Sequence, residues 1–282
     1  MAAQSGQPCA MLDFRPIGYV IGLLVAALGV TMLAPLAADL IAGNGHWPVF
    51  MESAIITILT GGLIAGACAN GVSAKLTIRQ TFLLTTLVWL ILPLFGAIPF
   101  VIGATNASVT DAFFEAMSGL TTTGATVFSG LEALPAGIKL WRGTLQWLGG
   151  VGIIVVAMVF LPELRVGGMQ IFRTEGFETS GKILPRAGAI ASHISVIYVG
   201  LTAACALAYV AFGMQGFDAL VHAMTTVSTG GMANSDASFG IYGEAVAYAG
   251  TFFMILAALP FVRYVQLVAG TAKPLLQDTQ IH

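Results

Sequence analysis

Two short tracts rich in hydroxyl groups and glycine interrupt an otherwise apolar sequence. The first, TTTGAT, covers residues 121–126, and the second, STGG, covers residues 228–231. An extended backbone in such a tract exposes a row of carbonyl oxygens, and glycine permits the φ values that aim these oxygens inward. Rings of carbonyl oxygens can replace the water shell of a cation. The tracts therefore predict coordination of a dehydrated monovalent cation by backbone oxygens.

The two tracts belong to copies of one unit. Shifting the sequence by 107 residues, from position 111 to 218, aligns DAFFEAMSGLTTTGAT (111–126) with DALVHAMTTVSTGGMA (218–233). Repeats in membrane proteins place the transported species at the repeat interface, near broken helices. The shift pairs the following identical residues: Asp111 with Asp218, Ala112 with Ala219, Ala116 with Ala223, Met117 with Met224, Thr122 with Thr229, and Gly124 with Gly231.

The rest of the chain must hold these units in a membrane. Of its 282 residues, 57% are hydrophobic and only 9% are charged, whereas soluble domains carry roughly a quarter charged residues. A helix needs about 20 apolar residues to cross the bilayer, and the segments at about 108–120 and 215–227 are too short to do so. Apolar runs of spanning length lie at about 17–38, 49–69, 81–103, 140–162, 189–212 and 243–269.

This pattern predicts an all-α integral membrane protein of repeated span–pore-helix–filter-loop–span units, with six spans and two re-entrant half-helices. We divide it into an N-terminal two-span region at 1–80, a first pore repeat with its cytoplasmic loop at 81–188, and a second pore repeat at 189–282. Non-helical backbone at membrane depth is tolerated where it is buried in protein or lines a water-filled cavity. The tracts are therefore expected to line an ion path.

The positive charges predict the orientation. Cytoplasmic loops of membrane proteins are enriched in Lys and Arg, so the N-terminus is expected inside and both short helices are expected to enter from outside. Lys139 and Arg142 break this pattern, because they precede the fourth span on the outer side. The charges that set the orientation are Arg15, Lys75, Arg79, Arg165, Arg173, Lys182, Arg186 and Lys273.

The sequence also resembles a known family over roughly residues 80–280. The stretches AFFEAMSGLTTTGATV, WRGTLQWLGGVGIIVVAMVFLPELRVGGMQIFR, HAMTTVSTGGMANSD and LPFVRYVQLVAG occur in order, and together they are similar to the TrkH/TrkG potassium transporters and their KtrB relatives in the Trk/Ktr/HKT superfamily. That family carries four pore repeats in one chain around one ion path. Only two filter tracts lie within these 282 residues, so the resemblance implies an N-terminal part of a longer transporter, without the third and fourth repeats.

The resemblance implies a function and a set of site residues. It implies uptake of potassium, as a symporter or a channel-like pore, across the bacterial cytoplasmic (inner) membrane. It also implies a homodimer and a cytosolic nucleotide-binding regulatory subunit, and no nucleic acid as partner. Potassium itself is expected at Thr122, Thr123, Thr229 and Gly230. The first filter strand would consist of Thr121, Thr122, Thr123 and Gly124, and the second of Ser228, Thr229, Gly230 and Gly231.

Two alternative functions remain beside potassium uptake. One is a cation transporter permeable to both sodium and potassium, and the other is a scaffold that does not conduct ions. An intramembrane enzyme is not expected, because the spans offer no GxSG with a distant His, no paired Asp in helix cores and no HExxH. The sequence therefore predicts a transporter with no catalytic residues.

Four titratable residues occur in the short helices. Asp111 and Asp218 lie in first turns, where a carboxylate suits the helix dipole, although an acidic vestibule would also concentrate cations. Glu115 aligns with His222, and its role stays open. For His222 a structural hydrogen bond is the first interpretation and a titratable role the second. The run 149-GGVG-152 is interpreted as close helix packing.

Overall fold

The computed structural model describes residues 13–71, 76–160, 187–268 and 270–271. Within these residues all regular structure is helical, which confirms the predicted all-α class. The positive charges at Lys75, Arg165, Arg173, Lys182, Arg186 and Lys273 lie outside the described residues.

Several of the described helical stretches are long enough to span a membrane. By length and composition, the described part of the chain contains four stretches that could cross a membrane. Together with the apolar composition, they identify a multi-pass membrane protein. These stretches are Arg15–Ala42, Trp47–Cys68, Arg79–Ile102 and Ser192–Ala211.

The N-terminal region consists of two long helical stretches that cross closely. The first is nearly continuous, since it is interrupted only at Met32. Gly22 and Gly61 lie at the crossing, where a Cβ on either would stand within 3.0 Å of the backbone of the other stretch. Small residues let membrane helices approach in this way. The helices are α1 (Arg15–Thr31), α2 (Leu33–Ala42) and α3 (Trp47–Cys68).

The first pore repeat follows the predicted order of span, half-helix, tract and span. A capping box starts its first span, because the Thr77 side chain accepts from the N–H of Gln80 while the Gln80 side chain accepts from the N–H of Thr77. The short helix predicted at about 108–120 is present. The helices are α4 (Ile78–Gly96), α5 (Ile98–Ile102), α6 (Val109–Leu120) and α7 (Ala136–Phe160), with a 3-10 turn at Leu131–Ala133.

The second pore repeat has the same order, with one difference from the prediction. The short helix expected at about 215–227 is present, but the sixth span is two helices rather than one. Leu259 and Pro260 separate them, because proline cannot donate the backbone hydrogen bond that would continue the first helix. The helices are α8 (Ala187–Ala211), α9 (Gly216–Val227), α10 (Glu244–Ala258) and α11 (Phe261–Val268), with a 3-10 turn at Ser238–Ile241.

Four apolar clusters hold the described helices together, and two of them are much larger than the others. One joins α1 to α3 with the first repeat and includes Phe50, Phe100 and Trp141. The other is built within the second repeat. A buried carboxylate also ties the N-terminal region to α7, since Asp39 accepts hydrogen bonds from the Gly137 N–H at 2.6 Å and from Asn44 at 2.6 Å. The N-terminal region is therefore packed directly on the first pore repeat.

Candidate functional site

The two half-helices lead directly into the tracts, and each begins with an aspartate in its first turn. Ser108 caps α6, because its hydroxyl accepts from the N–H of Asp111 at 3.1 Å and donates to the Asp111 carboxylate at 2.7 Å. In the second repeat Asp218 accepts from the Asn234 side chain at 2.8 Å. Both aspartates thus have structural partners at helix starts. The C-terminal ends of α6 and α9 run directly into the tracts, and such ends carry a partial negative charge that suits a cation.

The first tract turns its N–H groups back towards α6. Thr121 donates to the Met117 carbonyl at 2.8 Å, Thr122 to Gly119 at 2.8 Å, and Thr123 to Ser118 at 3.0 Å. Successive N–H groups that converge on one side leave the carbonyl groups on the other. No donor within the described residues bonds to the carbonyl oxygens of Thr122, Thr123 or Gly124.

The second tract repeats these bonds. Ser228 donates to the Met224 carbonyl at 3.2 Å, Thr229 to Thr226 at 2.9 Å, and Gly230 to Thr225 at 3.0 Å. Each donor and acceptor is the counterpart of one in the first tract, shifted by the same interval. The equivalent oxygens of Thr229, Gly230 and Gly231 also accept no hydrogen bond in the part of the chain that the structure describes. Six carbonyl oxygens are thus available to coordinate an ion.

Backbone dihedrals match between the tracts as closely as the hydrogen bonds do. Thr122 and Thr229 have φ of 56° and 57°, and Gly124 and Gly231 both have φ of 77°. A β-branched residue with positive φ is unusual and costs roughly 1–2 kcal/mol. Strain of this kind persists where the surrounding structure holds it, and it clusters at functional sites. The same strain at the same position in two copies indicates a shared requirement of the tract backbone.

One face of α7 supports both tracts. Arg142, Gln146, Gly149 and Gly150 occupy positions i, i+4, i+7 and i+8, which lie on one side of a helix. A Cβ on Gly149 would overlap the carbonyl of Leu120 at the end of α6, and one on Gly150 would stand 2.9 Å from Cβ of Ser228. Close packing is therefore what the first two glycines of 149-GGVG-152 provide.

Arg142 forms a buried ion pair with Glu115. Its Nε donates to Oε1 of Glu115 at 2.7 Å, and both side chains are almost fully buried. The guanidinium also donates to the carbonyl of Ala233 at 2.7 Å and to the Thr126 hydroxyl at 3.1 Å. The carboxylate accepts from that hydroxyl and from the N–H of Val127. The pair therefore ties the ends of both tracts to α7.

This ion pair explains the exception in the charge pattern. Arg142 is not a loop charge on the outer face, because it lies within the protein and is neutralised by Glu115. The other exception, Lys139, donates to the backbone carbonyl of Glu132 at 2.6 Å. Glu115, whose role the sequence left open, is likewise a structural partner of the tract backbone.

His222 takes the place of Glu115 in the second repeat without an ionic partner. Its Nδ1 lies 2.8 Å from the Asp218 carbonyl oxygen within the same helix, as the structural interpretation predicted. Phe239 and Tyr242 pack their rings against it, at centroid distances of 5.3 and 5.1 Å. Its Nε2 is buried without a hydrogen-bond partner in the described structure.

Two loops beyond the tracts, which the orientation predicted from the charges would place outside, are hydrogen-bonded to each other. Glu132 accepts from the Ser235 hydroxyl at 2.5 Å and from the Asp236 N–H at 2.9 Å. In return, Asp236 accepts from the N–H groups of Gly130 at 2.7 Å and Leu131 at 3.2 Å. The hydrogen bond from Ser235, followed by those from backbone N–H groups, holds the pKa of Glu132 below its usual value. We call these five residues the outer clasp.

The structure brings the two predicted tracts into contact at one point. A Cβ on Gly124 would overlap the carbonyl oxygen of Gly230, so the two tracts touch at that point.

Sequence reasoning treated Arg142 as an exception and overlooked Gln146, whose Oε1 accepts from the N–H of Met232 at 3.0 Å. The signal was available, because two polar residues four apart in an apolar helix mark a face that cannot face lipid.

Comparisons with known proteins agree with this architecture. A family model described as "TrkH: Cation transport protein" matches residues 46–280. The chain belongs to the TrkH family. This confirms the resemblance inferred from the motifs.

Individual relatives show the same relationship. The chain is 42% identical over 270 residues to the Trk system potassium uptake protein TrkI of Halomonas elongata, covering 95% of this chain and 55% of the relative. It is 41% identical over 234 residues to TrkH of Escherichia coli, covering 82% and 48%. The crystal structure of the potassium transporter TrkH from Vibrio parahaemolyticus matches with a TM-score of 0.79 at 36% identity, covering 92% and 53%. The chain thus spans about half the length of the curated relatives it matches.

Proposed function

We propose that this chain forms part of a pore for potassium uptake and that the two tracts are strands of its selectivity filter. The observation that carries the proposal is the duplicated backbone, which leaves six carbonyl oxygens without a donor among the described residues and holds them by matching bonds and dihedrals. The relatives at about 40% identity are named Trk system potassium uptake proteins, which supports potassium as the transported ion.

Each strand offers carbonyl oxygens and a helix end with partial negative charge, which suit a dehydrated monovalent cation. Potassium would bind carbonyl oxygens of the two strands at 121–124 and 228–231, namely those of Thr122, Thr123, Thr229 and Gly230, with the partial negative ends of α6 and α9 directed at the same region. Neutral oxygens compensate the loss of water without a full negative charge, so the ion can leave as readily as it enters. By the family resemblance, a complete ring has four strands, of which these would be two.

The membrane arrangement and the partners follow from the same proposal. The N-terminus would lie in the cytoplasm of the inner membrane, with both half-helices entering from outside. We infer a homodimer and a cytosolic nucleotide-binding subunit from the family resemblance.

Cysteines introduced at Ser129 and Ser238, which are both exposed, should react with an impermeant reagent added outside. A cysteine at position 179, outside the described residues, should react only from inside. Outside labelling at position 179 would contradict the orientation.

The proposed activity is tested by ion flux through the complete gene product in lipid vesicles. Uptake of rubidium, which substitutes for potassium, should be inhibited by potassium and much less by sodium. Equal inhibition by both ions would favour a cation transporter permeable to both. Vesicles that contain folded protein but show no flux, with or without a cytosolic partner, would favour a scaffold and contradict the proposed pore.

A further inference from the structure

Gln146 is a polar side chain buried in the middle of α7, a helix of 25 residues. A buried amide is unfavourable unless its polar atoms are bonded. Its oxygen has a partner, because Oε1 accepts from the N–H of Met232 at 3.0 Å. Met232 directly follows Gly231, so this bond holds the end of the second candidate filter strand against α7.

The amide also explains why residue 230 is glycine. The φ of Gly230 is not in the left-handed region, so its backbone conformation does not require glycine. Its counterpart in the first repeat is Thr123, which carries a side chain. A Cβ on Gly230, however, would overlap Nε2 and Cδ of Gln146 and stand 2.7 Å from its Cγ. The amide therefore occupies the space that a side chain at position 230 would take.

The first strand lies beside the same amide. A Cβ on Gly124 would be 3.5 Å from Nε2 of Gln146 and would overlap the carbonyl oxygen of Gly230. Gln146 thus occupies the seam where the two strands meet. Its Nε2 has no hydrogen-bond partner among the described residues although it is fully buried. An unpaired buried donor is unfavourable by about 1–3 kcal/mol, so it is kept where it serves another purpose.

We propose that Gln146 is a positioning residue that sets the separation of the two filter strands and, through it, the discrimination between potassium and sodium. This inference rests on the proposed potassium pore. The amide holds the second strand by its oxygen, and its bulk limits how close the backbone of residue 230, where the two strands touch, can come to α7. Selectivity depends on how the carbonyl oxygens are arranged around the ion. A change in strand separation therefore alters which ion they fit.

The first test compares Gln146→Leu with Thr144→Val in the complete gene product. Leucine has a similar size but no acceptor for the Met232 N–H. Thr144 is a matched control, since its hydroxyl donates only to Leu140 within α7 at 2.8 Å. We expect Gln146→Leu to lower the ratio of potassium to sodium inhibition of rubidium flux about fivefold to tenfold, the effect of losing about one hydrogen bond. Gln146→Glu, which keeps an acceptor for Met232, should recover part of that ratio. Thr144→Val should leave the ratio unchanged.

A second test does not depend on the yield of the leucine variant. Gly230→Ala should lower flux at least about tenfold, because its methyl group overlaps the amide. Combining Gly230→Ala with Gln146→Ala removes that overlap and should restore part of the flux.

The outcomes separate the two proposals. Wild-type vesicles without potassium flux would contradict the pore itself. If the wild type is selective, two results would overturn the role of Gln146. One is an unchanged potassium-to-sodium ratio in Gln146→Leu, and the other is no recovery of flux when Gly230→Ala is combined with Gln146→Ala. A Gln146→Leu variant with less protein in the membrane but an unchanged ratio per molecule would show a merely structural residue, which also contradicts the inference.

Discussion

A buried ion pair lies behind the first candidate filter strand, and its Arg142 also bonds to Ala233 just beyond the second strand, whereas His222 occupies the matching place behind the second. Behind the first, Glu115 and Arg142 form a buried ion pair that bonds to the tract backbone. At the matching place behind the second, His222 bonds within its own helix and is enclosed by two aromatic rings. The φ values at the two matched left-handed positions, Thr122 with Thr229 and Gly124 with Gly231, nevertheless agree within about one degree.

This difference shows which features the tract requires. The φ pattern and the N–H bonds to the half-helix recur in both copies, whereas the supporting side chains do not. A duplicated unit that keeps its backbone while its surroundings diverge indicates that the function depends on the carbonyl positions. The side chains behind them are free to differ, and among the described residues Nε2 of His222 is buried without a hydrogen-bond partner.

The largest expected effect comes from removing the charge behind the first strand. Arg142→Met leaves the Glu115 carboxylate buried without its cation, which destabilises a protein by about 3–5 kcal/mol. We expect a large loss of the monodisperse peak of folded protein on size-exclusion chromatography after heating in detergent. Arg142→Met combined with Glu115→Gln should recover much of it, because no uncompensated charge remains.

The histidine position provides the comparison for that experiment. His222→Gln in the second repeat should reduce thermal stability less than Arg142→Met, because only one hydrogen bond within a helix is at stake. An equal loss in the two variants would remove the distinction between a charged and a neutral support.

Gly124→Ser tests the point at which the strands touch. Serine there meets two obstacles, a φ of 77° and an overlap with the carbonyl oxygen of Gly230. We expect at least about 2 kcal/mol of strain in the filter and a loss of most potassium selectivity in uptake by a potassium-requiring cell. Normal selectivity at normal expression would show that Gly124 is not in the filter.

Gly231→Ser tests the equivalent position of the second strand and should have a smaller effect. Its φ is also 77°, but a Cβ there meets nothing within 4 Å among the described residues. The expected cost is therefore the backbone term alone, about 1–2 kcal/mol. The repeat in the sequence alone gives no reason for the two glycines to differ, whereas the contacts predict that selectivity falls further in Gly124→Ser. The same uptake assay ranks the two variants, and a larger loss in Gly231→Ser would reverse the comparison.

Acidification should have the smallest effect, and it acts on the outer clasp that joins the repeats. The pKa of Glu132 lies below its usual value of 4.5 because Ser235 and the Asp236 N–H favour the carboxylate. Its stabilising contribution is therefore complete above about pH 4.5 and is lost as the pH falls through the lowered pKa. Hydrogen exchange at the Asp236 amide, corrected for its intrinsic pH dependence, should show less protection below that range. A Glu132→Gln variant should lack this pH-dependent step.

Much of the fold was predicted from the sequence, because the lipid bilayer restricts the length and polarity of the segments that cross it. Runs of spanning length, two shorter helices and a repeat at a fixed interval predicted the order of the described helices. The break in the sixth span was missed, although Pro260 was visible, because hydrophobicity alone does not distinguish one helix from two. Local signals thus fixed the elements and their order.

The support behind the site was harder to predict, because it depends on contacts far apart in sequence. Arg142 reaches Ala233 over 91 residues, and Gln146 reaches Met232 over 86. The tract residues themselves were found from glycine and hydroxyl content, and their filter role remains a prediction. Which side chains would stand behind them required the crossing of α7 with both half-helices.

The long reach of Arg142 also has a consequence for how the protein is made. Glu115 precedes Arg142 by 27 residues, so the ribosome supplies the anion before the cation. Ala233 follows 91 residues later, a delay of roughly 5–20 seconds at typical synthesis rates. We expect α7 to enter the bilayer already neutralised, which crosslinking between positions 115 and 142 in arrested nascent chains would detect. The completed first repeat then serves as the template onto which the newly synthesised second strand docks.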